Sequence, residues 1–400
     1  MKKRIISVIL SALLILGAGA AVYGIDRIIV PDMTFGGDEI KLSLDEAIKI
    51  MQTEGSSAET AKLNKSSDEA VAKGYKETTE SITDFFRSLD KMAEAGIPIT
   101  IETSSAAEKM GATDTNEKIM KLRRDFAKEQ VDDNYQAEMN QIEATTIETY
   151  YGVLQAEENL RIAKENLATQ KTILANTQKK YKLGTVARID TLTAETEVLK
   201  AENEVASAEA MANTAKMNFN MLLGYDLMQK VVLTDTLKSI EAPEGTLVEF
   251  IESALENRNE IKGADFAADI QEILLNNLKY RYPENSSTFL KQQVAYNEAR
   301  KASDDAPTMI EMDIRVKYMD LENKKLAVKA AEATLANAKE GYRLAMITYD
   351  AGMNTLTDVQ QAQILAFRAG QGLAAAITDY DLAVYNFKHA IGVGTTRLPL

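Results

Sequence analysis

The sequence predicts an all-α protein built of duplicated long coiled-coil helical hairpins, with β-strands few or absent, and three observations carry that prediction. The first is where proline is missing. Of 400 residues six are proline, at 31, 98, 243, 283, 307 and 399, so 99–242 and 308–398 contain none. An interior proline costs a helix about 3 kcal/mol, so proline-free stretches of this length are what long uninterrupted helices require. The second observation is apolar spacing at seven residues, the seam of a coiled coil. The third is an internal repeat at a fixed offset.

In chain order, Lys2-Lys3-Arg4 precede an apolar run from Ile5 to about Val22 that ends in Gly17-Ala18-Gly19-Ala20-Ala21. Basic start, hydrophobic stretch and small-residue zone together form a secretory signal over 1–24, which sends the chain to the cell envelope. The run also approaches the roughly 20 residues that span a bilayer, so an uncleaved anchor is the alternative. A lipid-anchored version needs a cysteine, and there is none. The segment LSLDEAIKIM from Leu42 then reads as an amphipathic helix, with Ser43 as N-cap and Glu46 completing a capping box. Helical composition continues to about Lys91, with an interruption expected around Gly55 in the Ser/Thr-rich stretch from Thr53 to Ser67.

A joint follows at 92–116, containing Gly96-Ile97-Pro98, Ser104-Ser105 and Gly111. The longest segment, about 116–182, places Val153, Leu160, Leu167, Leu174 and Tyr181 seven residues apart. At 1.5 Å per residue this helix is roughly 100 Å long. Gly184 marks a tight turn, and a second helix returns through Ala194, Val198, Ala201, Val205, Ala208, Ala212, Ala215, Phe219 and Leu222. Those steps alternate between four and three, which makes one narrow, mostly alanine face.

The same pattern recurs 168 positions later. Leu321, Val328, Leu335, Tyr342 and Tyr349 repeat the seam, Gly352 repeats Gly184, and Ala362, Ala366, Ala369, Leu373, Ala376, Tyr380, Ala383, Phe387 and Ala390 repeat the returning face. Identities keep the register: Tyr150 with Tyr318, Ala163 with Ala331, Asp190 with Asp358, Asn218-Phe219 with Asn386-Phe387, and Gly224 with Gly392. The organisation is therefore a first repeat over 42–224, a linker over 225–245, a second repeat over 246–393 and a tail over 394–400. Within the second repeat, 282–307 reads as the counterpart of the first joint.

Composition narrows the chemistry. The chain has no Cys, no Trp and a single His, His389, which excludes thiolate zinc sites, Cys nucleophiles and any site needing two histidines from one chain. A formal charge of -14 argues against nucleic acid, whose phosphates demand a basic surface. Carboxylate runs such as Glu195-Thr196-Glu197 and Glu202-Asn203-Glu204 fall on the solvated side of alanine-seamed helices and read as an outer face. His389 reads as a surface or partly packed residue. No GxGxxG or GxxxxGK[ST] loop occurs. No enzyme activity, cofactor or metal is expected.

These residues resemble the TolC family of outer-membrane efflux ducts. LSLDEAIKIM is similar to the family's opening segment, ALENRNEIKGADFA at 254–267 to the start of its second repeat, and NFNMLLG and YNFKHAIG to the ends of its two hairpins. The turns YKLGTVARIDTLTAE at 181–195 and YDAGMNTLTDVQQAQ at 349–363 match its tip pattern of an aromatic, two residues, Gly, five residues and Asp. The resemblance covers about 42–393. It implies a homotrimer whose twelve helices form a hollow α-barrel, one third from each chain, and whose tips close like an iris and dock onto a membrane-fusion adaptor and an inner-membrane pump.

By the same resemblance, Tyr181, Gly184, Thr185, Asp190, Tyr349, Gly352 and Asp358 form the docking turns, and Asp190, Tyr349, Asn354, Asp358 and Gln361 surround the entrance. The family pairs the aromatic corresponding to Tyr349 with the acid corresponding to Asp190. A bracing Arg of the family is Asn354 here, and the second member of its acidic pair is Gln361. Apart from any family, both Asp lie where a returning helix begins, and capping is the plain alternative for each. Tyr181 and Tyr349 read first as seam packing.

One departure concerns membrane strands. A membrane strand needs about 9–11 residues of alternating polarity. The joint at 92–116 offers only Ile97 to Thr103, and 282–307 is polar and largely helical in composition. A membrane barrel is therefore expected to be missing or vestigial, and the protein is expected in the outer membrane if a barrel forms, otherwise membrane-anchored or associated with the cell wall. The other function class left open is an envelope coiled-coil module, structural or adaptor, without a conducting lumen.

Overall fold

Several helices in this protein start at a Ser or Thr whose side chain caps them. Ser43 Oγ accepts the Glu46 N–H at 3.3 Å while Glu46 Oε2 accepts the Ser43 N–H at 2.8 Å, the box that the spacing predicts, and α1 runs over Leu44–Thr53. The break expected around Gly55 is real. A Cβ there would lie 2.7 Å from the Met51 carbonyl oxygen, so only glycine fits. The computed structural model describes residues 35–98, 105, 107–109 and 111–400. The signal or anchor assigned to 1–24, and 99–103 of the apolar stretch in the first joint, lie outside the described residues.

Beyond the break, α2 covers Ser56–Glu94, α3 Asp114–Lys182 and α4 Arg188–Leu223. At 69 residues α3 is about 100 Å long. The second half consists of α5 (Leu247–Asn257), α6 (Asn259–Lys279), α7 (Ser287–Asp350) and α8 (Leu356–Ala390). The repeat is visible in these bounds: α3 and α7 end, and α4 and α8 begin, at the offset of 168.

The second joint is shorter than the sequence suggests. Ser286 accepts the Phe289 N–H at 3.2 Å and starts α7, so 287–307 is helix and only 280–286 connects α6 to α7. Pro307 therefore sits inside a 64-residue helix, not at its boundary. Its cost is one lost backbone hydrogen bond. Against that cost, Phe289, Ala306 and Ile310 are each buried on the same helix.

Two strands occur among the described residues, β1 (Gly36–Leu42) and β2 (Gln229–Leu233), paired in parallel. They tie the start of the chain to the inter-repeat linker at the waist of the molecule. Sequence reasoning did not point to them, because GGDEIKL is mostly exposed and lacks an alternating apolar face. On one side of this ribbon the helices pack in the order α4, α3, α8, α7; on the other, α2 and α6 join α3 and α7.

Each repeat has its own core at the waist. In the first, Tyr150 and Phe219 meet edge-on at 5.7 Å above Leu42, Met51 and Leu223. In the second, Tyr318 and Phe387 meet at 6.0 Å beside Phe250 and Ile314. Both pairs are the identities that hold the repeat register. The returning faces of α4 and α8 are buried or half-buried throughout, as their alanine pattern predicts.

Candidate functional site

The tips at 183–187 and 351–355 are built by glycine and by caps. Gly184 and Gly352 hold φ of 75° and 74°, and no atom lies within 4 Å of a Cβ built at either. Glycine is required there by the backbone alone, because L-residues resist the left-handed region. Thr185 Oγ1 donates to the Lys180 carbonyl at 2.9 Å and closes the first turn.

Asp190 and Asp358 both cap the returning helices. Asp190 Oδ2 accepts the Ala187 N–H at 3.0 Å. Asp358 Oδ2 accepts the Thr355 hydroxyl at 2.6 Å and the Thr355 N–H at 2.9 Å. The Thr355 hydroxyl first, and then its N–H, hold the Asp358 carboxyl below its ordinary value. It stays ionised at the positive end of the α8 dipole.

Tyr349 is 7% exposed and packs among Ile173, Ala194, Leu356 and Val359, while Tyr181 is 44% exposed. Within this chain Tyr349 and Asp190 form no hydrogen bond. The Tyr349 hydroxyl is buried without a partner among the described residues, and the Asp190 carboxylate serves its own cap. The group that reaches Tyr349 from the first hairpin is Lys180, whose Nζ lies 3.7 Å from the ring centroid and 3.0 Å from Asp350 Oδ1. Sequence reasoning missed Lys180. Nothing in the text distinguishes it from Lys179 and Lys182 in the same basic turn.

Asn354 Nδ2 donates to Thr348 Oγ1 at 2.7 Å, so it braces its own hairpin and not its neighbour. Gln361 is exposed one turn beyond Asp358. Between the hairpins runs a second seam that heptads of Leu and Val did not announce. Asn166, Gln170 and Thr177 of α3 are buried, and Gln363 Nε2 of α8 donates to Asn166 Oδ1 at 3.1 Å. The predicted stripe at Leu160, Leu167 and Leu174 is only half-buried.

Among the described residues the outer edges of the helix row are unpartnered. On α7, Met309, Met312, Val316, Met319, Leu326, Leu344 and Ile347 are exposed along one heptad stripe. On α4, Ile189, Leu192 and Leu199 are exposed at the same spacing, with Met211 and Met221 further along the helix. Exposed apolar stripes of this length mark an association surface.

Away from the tips, His389 Nε2 lies 3.7 Å from Glu143 Oε1, and this contact holds the Glu143 carboxyl below its ordinary value. His389 is partly packed, as its position suggests. No group of three or more His, Asp or Glu able to hold a metal occurs among the described residues. No described helix is long and apolar enough to cross a membrane.

No protein-family model matches the chain, and no curated protein matches it in sequence. Solved structures do share its architecture. The outer membrane protein VceC from Vibrio cholerae is similar over 88% of this chain and 97% of its own, with a TM-score of 0.60 at 13% identity. CusC, solved in work on transmembrane channel formation, is similar over 88% of this chain and 92% of its own, with a TM-score of 0.60 at 12% identity. The Campylobacter jejuni outer membrane channel CmeC is similar over 70% of this chain and 69% of its own, with a TM-score of 0.56 at 15% identity. The chain therefore has the fold of these outer-membrane channels, the TolC-like arrangement of long helical hairpins.

Proposed function

We propose that this protein is the duct of an export system: an envelope homotrimer of two-repeat chains, 42–224 and 246–393 joined by 225–245, around a hollow α-barrel. The observation that carries the reading is the pair of unpartnered edges. A row of four helices with an apolar heptad stripe on each outer helix closes when α7 of one copy meets α4 of the next. Three copies give twelve helices.

The tips are the entrance, with Asp190, Tyr349, Asn354, Asp358 and Gln361 around it. The turns at Tyr181, Gly184, Thr185, Asp190, Tyr349, Gly352 and Asp358 dock a membrane-fusion adaptor. Leu183 and Met353, exposed there at 78% and 72%, supply apolar anchors of the kind that partner interfaces bury. Passage is passive, with energy from an inner-membrane pump, so the chain has no turnover of its own.

The second reading, a coiled-coil spacer or adaptor in the envelope, draws on the scarcity of strands: the two described ones form the waist ribbon. One experiment separates the two. Purified mature protein imaged by electron microscopy is expected to be a trimer with an open lumen. A monomer, or a trimer with a solid core, overturns the duct. Deleting 184–190 and 352–358 is expected to abolish adaptor binding and leave helicity intact.

A further inference from the structure

We propose that Lys180 is the latch that sets the spacing of the two hairpin tips within one protomer. Its role as a gate rests on the reading of the tips as an entrance; the spacing itself does not. Lys180 closes the last turn of the first hairpin, while Tyr349 and Asp350 close the corresponding turn of the second. The ammonium lies 3.7 Å from the Tyr349 centroid, 3.4 Å from the Tyr349 carbonyl oxygen and 3.0 Å from Asp350 Oδ1. One cation thus makes three contacts across the gap between hairpins, and all three end on two adjacent residues.

The surroundings favour this geometry. The Lys180 side chain is 25% exposed, so most of its surface is covered while its ammonium faces the Tyr349 ring, the arrangement of a cation–π contact. Tyr349 cannot turn away, because Ile173, Leu356 and Val359 pack around it. At the tip no other hydrogen bond or ion pair joins the two hairpins among the described residues: Asp190, Thr185, Asn354 and Asp358 all bond within their own turn. The Asn166–Gln363 bond lies four turns higher on α3. The Lys180 contacts are therefore the polar link between the tips, set at the edge of the apolar cluster of Ile173, Ala194, Tyr349, Leu356 and Val359 that also joins the hairpins.

The chain has no cysteine, so two can be introduced as unique labelling sites at exposed positions, Leu183→Cys on the first turn and Met353→Cys on the second. Spin-label distances between them in the full-length protein are expected to give one narrow distribution. Lys180→Met keeps the unbranched stem of the side chain and removes its ammonium; a second, longer-distance population should appear, with the ratio shifted about 3- to 30-fold toward it. Lys180→Arg should restore the narrow distribution, and Asp350→Asn should fall between, since the ring contact survives. A Lys180→Met distribution identical to the parent's, in protein of unchanged helicity, overturns the latch. If the distances move but no lumen is found, the latch stands and the duct reading falls; if the lumen is found and the distances do not move, the latch alone falls.

Discussion

Asp381 of α8 accepts the backbone N–H of Ile240 at 2.9 Å and so pins the inter-repeat linker to the second hairpin. The residue is fully buried and its Oδ2 has no hydrogen-bond partner among the described residues. Burial pushes the carboxyl up to about 6, against the opposing pull of the Ile240 N–H and the Tyr151 hydroxyl. The unfolded chain loses this proton near 3.8. Between those values the folded state holds a proton that the unfolded state has released, so stability falls as pH rises through the window. Above it the full cost of a buried carboxylate remains, at most about 3 kcal/mol. Asp381→Asn keeps the acceptor and cannot ionise. Thermal melts should show the variant gaining on the parent from pH 4 to pH 7.5, and a difference independent of pH would refute the assignment.

The open edges of the helix row predict how the assembly breaks. Leu326 of α7 and Leu199 of α4 are 62% and 66% exposed in the single chain. Burying such a side chain is worth about 1.5–3 kcal/mol, and a carboxylate in its place must be desolvated instead. Leu326→Glu and Leu199→Glu should each dissociate the oligomer in sedimentation measurements while circular dichroism stays at the parent value. A residue packed inside the chain would lose helicity together with assembly.

At the tips the two glycines predict a backbone cost without a steric one. Because neither would bring a Cβ within 4 Å of any atom, Gly184→Val and Gly352→Val should each destabilise by about 1–2 kcal/mol through φ alone. Asn tolerates the left-handed region better, so Gly184→Asn should recover most of that loss. Denaturant titration of the three variants orders them.

Most of the fold was legible in the sequence because period and breaker signals are local. The seven-residue seams, the alanine faces and the offset of 168 located α3, α4, α8 and the tip end of α7 to within a few residues, and Ser43, Gly55 and Gly184 marked ends that the structure places at those positions. What escaped depends on partners distant in sequence. Pro307 read as a boundary because a helix breaker cannot announce that its neighbours Ala306 and Ile310 are buried. Asn166 and Gln363 carried no signal, because their hydrogen bond exists only where α3 and α8 meet across 197 positions. Lys180 had no signal at all, since a lysine in the last turn of a helix is ordinary dipole chemistry until an aromatic ring of the other hairpin lies under it.

The carboxy-terminal segment makes the last prediction. Arg397 donates to Asp68 Oδ1 at 2.6 Å and its Nε lies 2.8 Å from Glu138 Oε1, which joins the end of the chain to α2 and α3. Leu398 exchanges hydrogen bonds with the Asn134 side chain at 2.8 and 2.9 Å, and Asn259 Nδ2 donates to the Thr396 carbonyl at 2.9 Å. The segment thus crosses from the first repeat to α6 of the second. Asp68 is 4% exposed, so removing Arg397 leaves a buried carboxylate with Asn134 as its remaining donor. Breaking a fully buried pair costs about 3–5 kcal/mol; the 37% exposure of Arg397 lowers the expectation for Arg397→Met to about 2 kcal/mol. Asp68→Asn in the same chain should return part of that loss, because an amide needs no counter-charge. A separate variant tests the seat of the segment itself: a Cβ at Gly263 would stand 2.9 Å from Leu398 Cδ1, so Gly263→Val should displace the segment. Hydrogen exchange at Leu398 should then rise without change at Tyr150, and protection that persists at Leu398 would show that the strap is not held there.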